Sequence, residues 1–147
     1  ARKRILYGMK QCDIMKISEE EVAFVSEQES LEKGVSFIRD NSDIKILFVT
    51  LGNKGSIAYY KDEKIYCGGI HQEHVVDTTG AGDTFCGAVL NRILELGTDA
   101  LAEEDIREML LFANAAASIV VTRKGALCSM PEPEEIRAAT SLIDKVL

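Results

Sequence analysis

The sequence has no apolar run long enough to cross a membrane. No segment reaches the roughly 18 consecutive apolar residues of a spanning helix, and the N-terminal residues lack the charged-then-apolar order of a secretory signal. Positive charge is also scarce, because 17 basic residues stand against 24 acidic ones and the formal net charge is −7. Nucleic acids and anionic membrane surfaces select basic proteins, so we expect neither as a partner.

Cysteine is sparse, and its spacing matches no metal-binding or redox motif. The four cysteines are far apart and none forms a CxxC pair. They are Cys12, Cys67, Cys86 and Cys128. A disulfide framework is therefore not predicted, and we expect free, buried thiols in a cytoplasmic protein.

Helix-like and strand-like runs alternate along the 147 residues, of which 46% are hydrophobic. This alternation predicts one soluble α/β domain, or part of one. Residues 44–51 form a nearly continuous apolar run, which is typical of a strand covered on both faces. Residues 57–60 and 64–67 flank a charged turn and predict an antiparallel hairpin at the sheet edge.

Several helix starts can be read from capping and charge patterns. Ser18 followed by Glu21 predicts a capping box, with helical spacing continuing from there to residue 38. An acidic turn at 103–105 precedes a helix that we expect to end near residue 121. Pro133 opens a last amphipathic helix. Its predicted apolar face consists of Ile136, Leu142, Ile143 and Val146.

One stretch organises the whole chain. It reads Asp77-Thr78-Thr79-Gly80-Ala81-Gly82-Asp83-Thr84-Phe85 and leads into a run in which Phe85, Val89, Ile93 and Leu96 recur at helical spacing. Its glycines let the backbone approach a ligand, and the first-turn amides of a helix have no partners within that helix. The turn therefore predicts a seat for an anion. An aspartate there repels an anion but suits proton transfer beside a phosphate.

Taken alone, the four residues Gly-Ala-Gly-Asp also fit an ordinary helix start with no ligand. No Gly-Lys-Ser/Thr follows the glycines, so the stretch is not a Walker A loop. The complete run from Asp77 to Phe85, however, closely resembles the C-terminal signature of the ribokinase-like (phosphofructokinase B type) sugar kinases.

Further segments resemble the same family and follow in the same order. Lys16-Ile17-Ser18-Glu19-Glu20-Glu21 is similar to the fructokinase form of an Asn-x-x-Glu motif, with Ser18 where other members have asparagine. Residues 50–55 resemble a Thr-Leu-Gly-x-x-Gly segment, residues 112–116 a Phe-Ala-Asn-Ala-Ala segment, and residues 122–131 the loop that follows it. The resemblance implies the C-terminal half of a three-layer α/β/α sandwich, with a mostly parallel sheet and an antiparallel edge hairpin.

The resemblance also implies roles for individual residues. Asp83 would be the catalytic base, with Gly80, Ala81 and Gly82 supplying amides to an anion hole. The implied ATP contacts are Thr50, Gly52, Gly55 and Asn114. Glu21 would support Mg²⁺ through water. A monovalent cation, K⁺, would be held by Asp77, Thr79, Val120, Arg123, Gly125 and Ser129. By default, however, the glycines at 52 and 55 also fit a tight turn between strands, and residues 110–121 fit core packing.

The implied reaction is ATP-dependent phosphorylation of a sugar hydroxyl. The fructokinase-like segments favour fructose, while ribose, 2-keto-3-deoxygluconate and nucleosides are alternatives. Family members are about twice this length, so we expect residues 1–147 to be the ATP-binding and catalytic-base half, without the sugar-binding half and its lid. Such a chain would be inactive alone, and would work as a homodimer when full length or with a companion chain carrying the other half.

Two other classes of function stay open. A non-catalytic nucleotide-binding paralogue would be marked by loss of the carboxylate or the glycines, and neither is lost. An interaction module is the other alternative. If the N-terminal half is missing, we expect the strand at 46–51 to lack a neighbour or its covering helices and to expose apolar surface.

Overall fold

A computed structural model describes residues 1–125 and 127–143, with only the backbone for the last two of these. Four strands and six α-helices make up this part. In chain order they are α1 (Arg2–Met9), β1 (Ile14–Ser18), α2 (Glu19–Ser26), α3 (Leu31–Asp40), β2 (Ile46–Thr50), β3 (Gly55–Tyr60), β4 (Glu63–Gly68), α4 (Ala81–Leu96), α5 (Glu103–Val120) and α6 (Pro133–Ile143). None of the described helices has the length and apolar character needed to cross a bilayer.

The strands form one sheet in the order β1-β2-β3-β4. β1 and β2 are parallel, while β3 and β4 continue the sheet as an antiparallel hairpin. The predicted α/β class with an antiparallel edge hairpin is therefore confirmed, and the β1–β2 pair is the parallel part of the sheet within the described residues.

Helices cover both faces of the sheet, which gives the predicted three layers. One face carries Ile46, Phe48 and Ala58, which join a core cluster with residues of α4 and α5 such as Phe85. The other face carries Leu47 and neighbouring apolar residues, which pack with residues of α1, α2 and α3. Successive residues of a strand point to opposite faces, so a strand buried on both sides must be apolar throughout.

The expectation that residues 46–51 would lack a neighbour is wrong. β2 lies inside the sheet and pairs with β1 on one side and β3 on the other. The side chains of Ile46, Leu47, Phe48 and Val49 are at most 1% exposed. The edge of the sheet on this side is β1 instead, and its outer side has no strand partner among the described residues.

Most helix predictions are confirmed, with small differences at the ends. Ser18 and Glu21 form the predicted capping box. α4 begins four residues before Phe85 and contains all four apolar positions at helical spacing; Phe85, Val89 and Ile93 are buried, whereas Leu96 at the end of the helix is 42% exposed. Ile136 of α6 is buried. The side chains of Leu142 and Ile143, and residue Val146, lie outside the described part.

All four cysteines are free, as expected. Burial raises the pKa of the Cys12 and Cys67 thiols, which makes them poor nucleophiles at neutral pH. None of the four is fully buried, since Cys12, Cys67 and Cys86 are partly exposed and Cys128 is exposed, so the prediction of buried thiols is wrong.

The turn between β2 and β3 depends on Gly55. Its φ of +107° lies in a region that favours glycine, and a Cβ on it would meet the carbonyl oxygen of Cys67 at 2.2 Å. Its carbonyl also accepts a hydrogen bond from the amide of Leu51 at 2.8 Å. The turn and the end of β4 are therefore packed backbone against backbone.

We predict that Gly55→Ala lowers the free energy of unfolding by at least about 2 kcal/mol, because strain and a backbone clash coincide. Gly8 is the matched control, because it lies in α1 with nothing within 4 Å of an added Cβ. Gly8→Ala should be neutral or stabilise by about 0.5–1 kcal/mol. Urea denaturation of both variants measures the difference, and equal effects would contradict this account.

Asp77 joins the segment before α4 to the loop after α5. Its carboxylate accepts hydrogen bonds from the amide of Thr79 at 2.9 Å and the amide of Gly125 at 3.3 Å. The amides of Val76 and Asp77 both donate to the carbonyl of Val121. The side chain of Thr79, together with the two amides, holds the pKa of Asp77 below its ordinary value.

A depressed pKa in the folded state means that the carboxylate stabilises the fold above its unfolded pKa, and that this contribution disappears as the pH falls through the folded pKa. We therefore predict that Asp77→Asn is less stable than the native protein at neutral pH. The difference in free energy of unfolding between the two proteins should narrow as the pH is lowered from about 5 to about 2. Denaturant titrations across this range measure it, and a gap independent of pH would show that ionisation of Asp77 contributes nothing.

Candidate active site

The carboxyl ends of β1, β2 and β4 lie beside the start of β3. We call this end of the strands the carboxyl edge of the sheet, as distinct from the outer strand β1. Ser18 and Thr50 are register partners at the carboxyl ends of β1 and β2, and Thr50 pairs with Ser56 near the start of β3. Gly55 in turn pairs with Gly68 at the end of β4. The outer side of the carboxyl ends of parallel strands is where open α/β sheets bind ligands. Thr50, Gly52 and Gly55, three of the four predicted nucleotide contacts, therefore lie at or beside this edge.

Helix α4 begins at the same edge, and its first turn carries the predicted anion hole. Gly80 is the N-cap, with a φ of +84°, and its carbonyl accepts from the amide of Thr84 at 2.8 Å. The amide of Ala81 donates to the carbonyl of Thr78 at 3.3 Å. The amides of Gly82 and Asp83 have no hydrogen-bond partner within the described residues. Two first-turn amides are thus open to a ligand, while that of Ala81 is already engaged.

Asp83 is exposed on this first turn and forms no ion pair with the described residues. It stands at the wall of a cavity of about 620 Å³ between α4, α5 and α6. Thr84 lies beside it on the same wall, and its buried hydroxyl has no partner in the part of the chain that the structure describes. The carboxylate is therefore free to meet a substrate group.

The side chain of Lys16, a residue to which none of the sequence motifs assigns a role, reaches this turn. A Cβ built on Gly82 would lie 2.8 Å from the ammonium nitrogen of Lys16. Strand alternation gave a signal for it, since Lys16 is two residues from Ile14 and so shares the face of the sheet that α4 covers.

Glu21 lies at the start of α2, directly after β1. One carboxylate oxygen accepts from the amide of Ser18 at 2.8 Å, and the hydroxyl of Ser18 accepts from the amide of Glu21 at 3.2 Å. The other carboxylate oxygen has no partner among the described residues, and the side chain is exposed. Capping therefore leaves Glu21 with a free, charged oxygen at the same sheet edge.

Asn114 is only 7% exposed and fully engaged within the protein. Its carbonyl oxygen accepts from the hydroxyl of Ser56 at 2.9 Å, and its amide donates to the carbonyls of Cys67 and Gly68 at 3.2 Å each. These bonds fasten α5 to both strands of the hairpin. A direct contact between this side chain and a nucleotide would require some of them to be exchanged, so that role stays a prediction.

The six residues predicted to hold a monovalent cation come together around the loop after α5. Asp77 contacts Thr79 and Gly125 as described above, and the carbonyl of Val120 accepts from the amide of Arg123 at 3.0 Å. The hydroxyl of Ser129 donates to the carbonyl of Gly125, and the guanidinium of Arg123 donates to the carbonyl of Ser129 at 3.4 Å. The loop thus gathers several carbonyl oxygens, the donor type that suits a hard cation.

No group of three or more His, Cys, Asp or Glu side chains that could enclose a metal occurs among the described residues. The two free carboxylates near the edge, Glu21 and Asp83, fit a different kind of site. Mg²⁺ keeps several of its waters and is usually bound by one or two carboxylates together with phosphate oxygens. The residues present are compatible with Mg²⁺ that arrives with a phosphate ligand.

Comparison with known proteins agrees with this geometry. Residues 1–133 match the pfkB family of carbohydrate kinases. Fructokinase-1 of Zea mays is 39% identical over 138 residues, which make up 92% of this chain and 42% of that protein. The chain spans 40% of the probable fructokinase-2 and 62% of the putative fructokinase-8 of Arabidopsis thaliana, both 38% identical to it, and so less than two thirds of either relative.

Solved structures show the same fold. A fructokinase from Vibrio cholerae O395 in a fructose, ADP and calcium ion bound form has a TM-score of 0.85 and 29% identity, over 95% of this chain and 44% of that one. Arabidopsis thaliana ribokinase complexed with ribose and ATP has a TM-score of 0.77 and 33% identity, over 90% of this chain and 42% of that one. The signature residues, the fold and the family match together show that the chain belongs to the pfkB family of carbohydrate kinases.

Proposed function

We propose that the protein phosphorylates a sugar hydroxyl with ATP, and that residues 1–147 carry its nucleotide site and its catalytic base. One observation carries the proposal most directly: the carboxylate of Asp83 lies in the same helix turn as two amides, and within the described residues neither the carboxylate nor these amides have a partner. A proton acceptor next to an anion seat is what transfer of a phosphoryl group to an alcohol requires.

In this mechanism Asp83 accepts the hydroxyl proton of the sugar. Transfer of a phosphoryl group passes through a loose transition state, so the proton leaves late, and positioning and charge stabilisation provide most of the acceleration. Asp83 is suited to orienting the hydroxyl, because it sits on the rigid first turn of a 16-residue helix whose buried face packs into the core.

The amides of Gly82 and Asp83 donate hydrogen bonds to the negative charge that develops on the phosphoryl oxygens. The N-terminus of α4 adds a partial positive charge at the same place. Gly80 contributes through its left-handed conformation, which sets the direction of the turn. In our proposal Ala81 acts mainly by keeping the turn closed, since its amide donates to Thr78.

The nucleotide lies along the carboxyl edge of the sheet. The open space at Gly52, where nothing lies within 4 Å of an added Cβ, allows close approach of a ligand to the turn after β2. Mg²⁺, when bound with the nucleotide, would neutralise phosphate charge, and the free oxygen of Glu21 would hold one of its waters. The carbonyls gathered around Gly125 are the proposed K⁺ site.

The whole protein would need more than this chain. The proposal is that the sugar-binding part corresponds to the remaining length of the relatives, supplied by the same polypeptide or by a companion chain. Two observations support it: the chain covers 42% of a relative such as the maize fructokinase, and the outer side of β1 has no strand partner in the described part.

Fructose is the sugar we propose, because relatives with 38% and 39% identity are fructokinases and one structural neighbour holds fructose. We predict that, with the whole protein, fructose gives the highest kcat/KM in a panel that also contains ribose, 2-keto-3-deoxygluconate and a nucleoside. Release of ADP measures each rate. A higher kcat/KM for another member would reassign the substrate while leaving sugar phosphorylation intact.

We predict that Asp83→Asn in the whole protein lowers kcat by about a hundredfold to ten-thousandfold, the usual contribution of a positioned base, with little change in ATP affinity. Asp62→Asn is the matched control, because Asp62 is exposed in the turn between β3 and β4 at the opposite edge of the sheet. Steady-state kinetics and calorimetric ATP titration measure both variants. Near-native turnover in Asp83→Asn would remove Asp83 from the base role.

A further inference from the structure

Asn114 of α5 holds the backbone of the β3–β4 hairpin at the carboxyl edge of the sheet. We propose that Asn114 is a positioning residue: it fixes the turn between β2 and β3 through the backbone of Gly68 and Gly69, and it makes no contact with the base of the nucleotide. The inference rests on the proposed function above, in which a nucleotide lies against this turn. It gives Asn114 a role different from the direct contact that the family resemblance implies.

Both donors of the Asn114 side chain are used inside the protein. Its amide nitrogen carries two hydrogens and donates to the carbonyls of Cys67 and Gly68 at 3.2 Å each. Its oxygen accepts from the hydroxyl of Ser56 at 2.9 Å, and Ser56 is fully buried. Reading the edge of a base through this side chain needs a free donor. None remains unless a bond to the hairpin is broken.

The three partners also fix which way the amide of Asn114 points. A rotation by half a turn about its last bond would place the amide oxygen against the carbonyl oxygens of Cys67 and Gly68. Two hydrogen bonds would then become contacts between acceptors. With the oxygen toward Ser56, all three contacts pair a donor with an acceptor. Asn114 is therefore held in one orientation.

The peptide unit between Gly68 and Gly69 connects Asn114 to the turn. Its carbonyl, which belongs to Gly68, accepts from Asn114, and its amide, which belongs to Gly69, donates to the carbonyl of Lys54 at 3.1 Å. A peptide unit is planar and rigid, so fixing the carbonyl at one end fixes the direction of the amide at the other. Lys54 lies in the turn between β2 and β3, directly before Gly55.

Close packing of backbone on backbone couples the turn to the end of the hairpin. A Cβ on Gly69 would lie 2.2 Å from the carbonyl oxygen of Asn53. A Cβ on Gly55 would lie at the same distance, 2.2 Å, from the carbonyl oxygen of Cys67, which is one of the two carbonyls that Asn114 binds. A shift of the hairpin end would therefore carry the turn with it, and the bonds of Asn114 oppose such a shift.

The turn carries Gly52 and Gly55, two of the predicted nucleotide contacts. A turn that must be ordered when a ligand binds lowers the affinity by the free energy of that ordering, whereas a turn already in place does not. Asn114 thus acts on the affinity for a nucleotide whatever its base. It lies apart from the chemical step, which the proposed function assigns to Asp83 on α4.

The test uses Asn114→Asp in the whole protein, with Asn41→Asp as the matched control. Aspartate keeps the size and shape of the side chain and removes the two donors that the hairpin carbonyls accept. Asn41 ends α3 on the other face of the sheet, where its amide donates to the carbonyl of Phe37 at 2.8 Å. Calorimetric titrations with ATP and with inosine triphosphate, which differs from ATP only in the base, measure the affinities.

We expect Asn114→Asp to weaken binding of ATP and of inosine triphosphate by the same factor, about five- to thirtyfold, which corresponds to the loss of one or two hydrogen bonds. At saturating ATP, kcat should be unchanged, because the substitution removes binding that the ground state and the transition state share. Asn41→Asp loses a bond of the same type far from the turn, and it should bind both nucleotides as the native protein does.

Ser56→Ala provides a second check on the same connection. Ser56 is fully buried, so it does not reach a nucleotide, and its hydroxyl donates to the amide oxygen of Asn114. Ser56→Ala should weaken binding of both nucleotides by a smaller common factor. The double variant should bind no more weakly than Asn114→Asp alone, because both substitutions break one network.

A change in the ratio of the two nucleotide affinities in Asn114→Asp would show direct contact with the base and overturn the inference. Native affinities in the folded variant would overturn it too. Should Asn114→Asp fail to fold, the ratio in Ser56→Ala decides in the same way. If either result occurs while Asp83→Asn still abolishes turnover, the proposed function stands and only the positioning role falls. If the native protein binds neither nucleotide, both fall.

Discussion

The left-handed conformation of Gly80 is the constraint on which the site depends. It turns the chain out of the segment fastened to α5 and starts α4, whose first-turn amides at Gly82 and Asp83 have no hydrogen-bond partner among the described residues. Any other residue at position 80 would have to adopt a strained backbone to do the same. The base, the open amides and the hydroxyl of Thr84 all follow from where this single residue starts the helix.

The segment that leads to Gly80 is held in place by hydrogen bonds to other parts of the protein. Asp77 ties the segment before the turn to the loop after α5, and the carbonyl of Val121 accepts two amides from the same segment. Asn114 of α5 holds the β3–β4 hairpin against that helix through hydrogen bonds to both strands. Preorganisation of this kind lets donors stabilise developing charge without reorganising during the reaction.

Local patterns in the sequence were enough to predict much of the structure. The capping box at Ser18, the hairpin, the doubly covered strand and the helix after the glycines each depend on neighbours within a few residues, and each is confirmed. The family and the three-layer fold also agree with the motifs. The prediction that residues 46–51 lack a neighbour failed because it depended on distant contacts: β2 lies inside the sheet and is buried.

Two features of the site could not have been found by motif. The internal bonds of Asn114 join residues 46 to 58 positions apart, so the sequence says nothing of whether its amide is free for a nucleotide. The approach of Lys16 to Gly82 links two segments whose spacing along the chain carries no signal. Strand alternation assigns Lys16 to a face, but only the packing of α4 on that face shows what its ammonium meets.

The contact between Lys16 and Gly82 also means that the two positions are energetically coupled. A side chain at position 82 would displace the amine of Lys16, so the effect of such a substitution includes whatever the lysine contributes in its present position. In a protein whose residue 16 no longer has an amine, the Cβ of a residue at position 82 would meet less steric hindrance. Drift at one of these sites therefore relaxes selection on the other, and the two residues should change together among descendants of this sequence.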